Sequence, residues 1–382
     1  DIVTPLRTGT ASTTSVIATH HLDLLKKDDR KLLLFADNRQ DVAHQAGYTA
    51  DKHRAFVLRH ALAHRVRAAG AAGLYLDDVV HQVFDSFVEQ GLIRRNPSRP
   101  EREQWLFALR YQITMEFSQY SRQRTSLENL GIVGVEYEGL DDLVTRDELQ
   151  TLAGEAGLDP AEAVRLIRAV LDQVRKSRAV AVAFFQEYID PNRQARYRQL
   201  EEEPFCVRFP EHYRKPQAFA FDRPDHIRKS SRLIGFCQEN PHAGQLTATQ
   251  KLVARLVGDR QRAETFLRRA VELLLCEDVG LLVHVPHFPI PANERLATLR
   301  PLQLDPSRIR LVPPGQGYRC SACQTWRPYP LATCPTPRCT EGQLVAAEVE
   351  PENYYVNLYT ARPPQRMRVM EHSAQISGDD RA

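Results

Sequence analysis

The chain has 382 residues, and 51 Lys plus Arg against 48 Asp plus Glu leave a formal charge of +3. Its 26% charged and 42% hydrophobic residues suit roughly two or three packed domains of about 150 residues each and exclude wholesale disorder. Near-neutral charge confines any nucleic-acid contact to local patches, and no apolar run reaches the ~18 residues of a membrane span. Residues 1–25 show no basic start followed by an apolar stretch, so no leader is read there and a soluble, cytoplasmic chain is expected.

Taken in order, residues 1–16 are rich in Thr and Ser, and a helical apolar stretch follows at Val16–Leu25. Lys31–Ala36 (KLLLFA) is a near-continuous apolar run, the pattern of a strand buried on both faces of a parallel sheet. It stops at the polar run Asp37-Asn38-Arg39-Gln40-Asp41, where a helix begins; in open α/β sheets such strand ends are where ligands bind.

From about 50 to 360 this alternation gives way to helices. Leu58, Leu62 and Val66 form one stripe, Leu76–Gln90 a second helix ending at Gly91, and Leu106, Leu109, Ile113 and Phe117 a third beside Trp105. Asp159-Pro160-Ala161-Glu162 is a capping box with proline at the first helical position, opening the helix of Val164, Ile167, Leu171 and Val174. Residues 190–232, rich in Pro, Arg and Tyr, read as a connector with a basic face. Thr247-x-x-Gln250 is a second capping box, followed by helices to about Val257 and from Arg262 to Cys276, then by strand-like runs in Val279–His287. Helix, helix and strand pair is the order of a winged-helix module, which either inserts a helix into the major groove or packs against protein. Tyr354–Tyr359 and Arg368–Met370 read as strands, and Ser377-x-x-Asp380 as a helix start, so the chain reads as a fragment.

Seven cysteines fall into two groups. Cys206, Cys237 and Cys276 lie among apolar neighbours and read as small buried hydrophobes. Cys320, Cys323, Cys334 and Cys339 read C-x2-C, ten residues, then C-x4-C. Two such knuckles aim four thiolates at one point, which suits a structural tetrahedral Zn2+ site with no position left for water. Two disulfides are the alternative. Tyr318, Arg319, Trp326, Arg327 and Tyr329 surround the cysteines, either to stack bases and contact phosphates or to cover a small module that has little core.

Complete catalytic motifs are missing. The sequence has no G-x-x-x-x-G-K-[ST], so nothing cradles a nucleotide's β- and γ-phosphates. Asp147-Glu148 sits in helical sequence and reads as a solvated face. His60-x3-His64 has metal spacing, but Ala61 stands where a zinc protease has its glutamate, so an exposed or packed pair is expected.

Residues 31–47 (KLLLFADNRQDVAHQAG) resemble the first strand and helix of the second RecA-like lobe in a group of superfamily 2 DEAD/DEAH-box helicases. Residues 371–377 (EHSAQIS) resemble the return into that lobe after a long insertion, and residues 7–19 (RTGTASTTSVIAT) the segment before it. Ser126-Leu127-Glu128-Asn129-Leu130-Gly131 resembles a phrase within the insertion. The group includes bacterial helicases with cysteine-rich zinc modules that act in DNA repair and phage defence.

The resemblance implies a mixed α/β, mostly helical chain: a partial RecA-like parallel sheet interrupted by a helical and winged-helix insertion and a small zinc ribbon. The expected layout is 1–50 for the start of the lobe, 51–190 for a helical insertion, and 191–300 for the connector and winged helix. A ribbon at 301–350 and the return to the lobe at 351–382 complete it. Arg39 is then expected on a DNA phosphate, with Asn38 and Gln40 supporting it, and His372, Ser373 and Gln375 near the same backbone. ATP and Mg2+ belong to the parent protein, whose other lobe and DNA are the expected partners alongside possible protein partners in repair or defence. The chain alone is not expected to hydrolyse ATP. The alternative is a non-enzymatic winged-helix and zinc-ribbon module that binds nucleic acid or protein.

Overall fold

The computed structural model describes residues 17–18, 21–22, 24–25, 39–118, 126–182, 216–223, 233–238, 246–285, 288 and 299–361. The apolar run at 31–36, the expected strand at 368–370, the helix start at 377 and Cys206 lie outside the described residues.

The first long element is α1 (Arg39–Ala69), which leads through the short β1 (Leu74–Tyr75) into α2 (Asp78–Glu89) and α3 (Arg99–Phe117). Ser98 caps α3 through a reciprocal box with Glu101, with proline in the first turn. β2 (Gly134–Tyr137) precedes α4 (Asp147–Ala156) and α5 (Pro160–Lys176). The capping box read at Asp159 is formed: Glu162 N donates to its carboxylate at 2.9 Å. Val164, Ile167, Leu171 and Val174 of α5 are buried, as their spacing requires.

β3 (Ala218–Arg223) and β4 (Leu233–Gln238) pair in parallel. α6 (Ala248–Val257) follows, opened by the second capping box, in which Gln250 N donates to Thr247 Oγ1 at 3.0 Å. α7 (Arg260–Leu275) then leads to β5 (Leu282–His284), which pairs antiparallel with β6 (Leu302–Leu304). The strand pair is therefore formed between Leu282–His284 and a run beyond residue 300, not within Val279–His287. The sheet order is β4-β3-β6-β5, and Val180, just after α5, bridges Leu304 in parallel.

β7 (Ile309–Val312) lies between β1 and β2 in a second sheet, so segments more than two hundred residues apart share one ladder. The third sheet is the cysteine module: β8 (Gly317–Cys320) between β9 (Trp326–Arg327) and β10 (Leu344–Ala347). α8 (Tyr354–Thr360) packs back on α1. Here the expected strand at 354–359 is a helix. Asn353 caps it by accepting from Tyr355 N at 3.0 Å, and Val356 and Tyr359 bury the face toward α1, overriding the strand preference of Tyr and Val.

One apolar cluster runs from Val57 to Tyr359 and crosses the boundaries drawn at 190 and 300. The fold is mixed α/β, with about half of the described residues helical and several small sheets. Among the described residues no helix is long and apolar enough to cross a membrane.

Candidate metal centre

Both cysteine knuckles are shaped by backbone bonds. In the first, Cys320 N donates to Thr325 O at 3.1 Å and Gln324 N to Cys320 O at 3.0 Å, turning the chain so that both sulfurs face inward. The turn closes with Gln324 in the left-handed region, at φ 60°. In the second, Cys334 N donates to Gly342 O at 2.9 Å and Cys339 N to Thr336 O at 3.1 Å, with Arg338 at φ 69°.

All four sulfurs lie within 4.8 Å of one another. Cys320 Sγ is 3.7 Å from Cys339 Sγ, and Cys323 Sγ is 3.6 Å from Cys334 Sγ. A disulfide needs about 2.0 Å, and all four cysteines are free. The edge of a tetrahedron of sulfurs around a metal with ~2.3 Å bonds is about 3.8 Å. Neither pair is joined as a disulfide in this structure, and the spacing matches a four-thiolate cage.

The surroundings are built for sulfur. Cys323 N donates to Cys320 Sγ and Thr336 N to Cys334 Sγ, both at 3.4 Å. A Cβ at position 342 would stand 2.2 Å from Cys320 Sγ and 2.7 Å from Cys339 Sγ, so only glycine lets the chain pass this close. Burial pushes the Cys334 thiol up to about 12. Burial also opposes ionisation of Cys323, but hydrogen bonds from the Thr325 side chain and backbone outweigh it and bring that thiol to about 6. Four thiolates at these separations repel strongly unless a cation lies among them.

The module is docked on the helical body. Arg255 of α6 donates to Cys339 O at 2.8 Å and Cys334 O at 3.3 Å, and Gln173 of α5 to Pro335 O at 3.3 Å. Trp326 is fully buried, its indole set between Gly131 and Gly317, where a Cβ would come within 3.0 Å and 2.1 Å of it. Arg327 and Tyr329 are buried as well. Of the five aromatic and arginine residues around the cysteines, these three face the body and cover the module. Tyr318 and Arg319 stay partly exposed, Arg319 pairing with Glu350 at 3.3 Å.

Beneath the ribbon lies a buried set of charges that sequence reading did not find. Arg175 donates to Glu128 and Asp172 at 2.9 Å each, and Lys176 Nζ lies 2.9 Å from Glu128. Tyr329 OH donates to Asp172 at 2.7 Å and Tyr137 OH at 2.8 Å; Arg327 Nη1 stands 3.5 Å away. Burial alone would raise both carboxylic acids, but the neighbouring cations, Arg175 foremost, hold them below the usual carboxylate range. Burial and the charge of Arg327 bring Lys176 down to about 8. The one hint in the sequence is Glu128, a lone acid in an otherwise apolar and polar-neutral phrase.

The remaining candidates separate cleanly. Arg39 and Gln40 open α1, with their side chains outside the described residues; Asn38, His372, Ser373 and Gln375 lie outside them altogether. His60 and His64 are packed with ring centroids 4.2 Å apart, and burial, then the neighbouring His64, lowers His60 to about 4. Asp147 and Glu148 are exposed in the first turn of α4. Cys237 is buried as expected, whereas Cys276 is exposed at the end of α7, where its thiol donates to Glu272 O at 3.4 Å. No family model, curated protein or solved structure matches the chain.

Proposed function

We propose that the chain is part of an ATP-dependent DNA helicase or translocase of the DEAD/DEAH-box type. In this reading residues 51–350 are an accessory, zinc-containing DNA-guiding insertion set into the second motor lobe, entered through α1 and left at α8. The observation that carries this reading is the packing of α8 on α1, sealed by Arg59 Nη1 donating to Tyr359 OH at 3.1 Å. The stretch that resembles the lobe's first strand lies just before α1, and the stretch that resembles its return follows α8. The two ends of an insertion into one sheet must lie close together, and Phe56 and Arg59, just after residue 50, meet Tyr359, just after residue 350.

Zn2+ is the metal that fits the cage, since four thiolates at these separations fill a tetrahedron. Its role is to cross-link the ribbon; the cage offers no open position for substrate or water. Asn38, Arg39 and Gln40, with His372, Ser373 and Gln375, are the proposed contacts to the DNA backbone. The order β3, β4, α6, α7, β5, β6, with β3 and β5 flanking β6, supports the winged-helix reading. ATP and Mg2+ are held by the parent protein, and the remaining lobe is the partner.

The test is fluorescence anisotropy of a labelled DNA fork with the zinc-loaded chain at stepped salt. Affinity should fall steeply between about 50 and 200 mM salt, as phosphate contacts require. Absence of binding at the lowest salt would overturn the DNA-guiding role, and ATP hydrolysis by this chain alone would contradict the division of labour. In the second reading, a non-enzymatic module that binds nucleic acid or protein, the protein arm is favoured by α4 packing along α7, where Arg269 pairs with Glu155. That arm expects affinity for DNA to be absent.

A further inference from the structure

Residues 126–131 touch two distant parts of the molecule at once. On one side, Glu116 accepts from Leu127 N at 3.0 Å while its other contacts are the three bonds from Arg59, which in turn holds Tyr359 of α8. On the other side, Glu128 binds Arg175 and Lys176 and stands 3.7 Å from Arg327 of the ribbon, and Gly131 presses on the Trp326 indole. Gly131 has φ 74°, so its backbone requires glycine as much as the indole does. Leu127 is fully buried and belongs to the common apolar cluster. A polar chain thus runs without a break from the cysteine module to the α1–α8 junction, and this loop is its middle link.

We propose that the loop 126–131 is a coupling element, through which docking of the metal-loaded ribbon tightens the junction between α1 and α8. With the ribbon seated, Arg327 and Tyr329 complete the partners of Asp172, and Trp326 fixes Gly131. Releasing the ribbon leaves Asp172 short of two partners and removes the indole that holds the loop. The loop then relaxes, and Glu116 loses the Leu127 N–H that orients it toward Arg59. Local openings of this kind are cooperative units with their own free energies, and coupling between two sites typically amounts to a fivefold to ~150-fold effect. This inference rests on the metal reading above only for its first arm.

The experiment is hydrogen–deuterium exchange of the full chain, zinc-loaded and after chelation, followed in four segments: 317–347, 126–133, 354–360 and, as reference, α2 (Asp78–Glu89). A second arm uses Arg327→Gln with zinc bound, which removes the ribbon's charged contact with Asp172 and Glu128 without touching a ligand. Exchange should rise at least about fivefold in the first three segments and stay unchanged in α2 in both arms. A rise confined to 317–347 overturns the coupling. A rise in all four, α2 included, also overturns it, because the ribbon is then a staple for the whole fold. If elemental analysis finds no zinc in the isolated chain, the metal reading fails, and the exchange of Arg327→Gln alone decides the coupling.

Discussion

Arg59 and Tyr359, 300 positions apart in sequence, share a hydrogen bond of 3.1 Å, and the same guanidinium makes three bonds to Glu116. The Tyr359 ring also lies 6.2 Å from that of Phe56, so the contact is apolar as well as polar. Helix α8 is only seven residues long and could not persist alone. It is helical because α1 is there to receive it.

Tyr359→Phe should therefore cost about 1.5 kcal/mol by urea unfolding, the lower end of the worth of a bond to a charged group. Arg59→Met should cost more, about 3 kcal/mol, because Glu116 is left buried without its main partner. Equal and negligible effects of both changes would mean that α8 does not hold α1.

The buried carboxylates set the acid limb of stability. Glu128 and Asp172 have folded-state pKa values below their unfolded ones. Their contribution is thus fully present above the unfolded range near pH 4 and is lost as pH falls through the folded values. Each unit of difference is worth about 1.4 kcal/mol. Unfolding free energy should begin to fall below about pH 6.5, where His60, held at about 4, stays neutral while the unfolded imidazole takes up a proton, and should fall more steeply below about pH 4 as the carboxylates protonate. Glu128→Gln should lower the plateau by about 3 kcal/mol and flatten the drop. An unaltered acid limb in that variant would show that this pair does not govern it.

Gly317 and Gly131 make the seat for Trp326, and Gly342 makes room for two sulfurs. Gly317→Ala should destabilise by about 3 kcal/mol, at the upper end of overpacking, since the indole is enclosed and has nowhere to move. Gly342→Ala should abolish metal retention while leaving the far-ultraviolet spectrum of the helical body in place. Full zinc content in Gly342→Ala would refute the tight approach of that strand to the cage.

How much of this was legible in the sequence depended on the range of the interaction. Both capping boxes, at Asp159 and Thr247, formed as written because their partners sit three residues away. The four cysteines converged because short knuckles fix sulfur positions locally. Tyr354–Tyr359 misled because its residues favour strands, while the deciding surface, α1, lies some three hundred residues earlier. The strand pair near 282 was only half visible, since its partner at 302–304 lies well beyond the apolar run. The buried charges were invisible for the same reason: Glu128, Asp172 and Arg327 look like surface residues until three segments close over them.

The central physical claim is that one metal ion, held by four thiolates, makes the ribbon that docks on this body. Elemental analysis of the isolated chain beside its Cys320→Ser variant tests it most directly. One zinc per chain is expected, lost in the variant. No zinc in the parent chain, or the same zinc content in the variant, would contradict it.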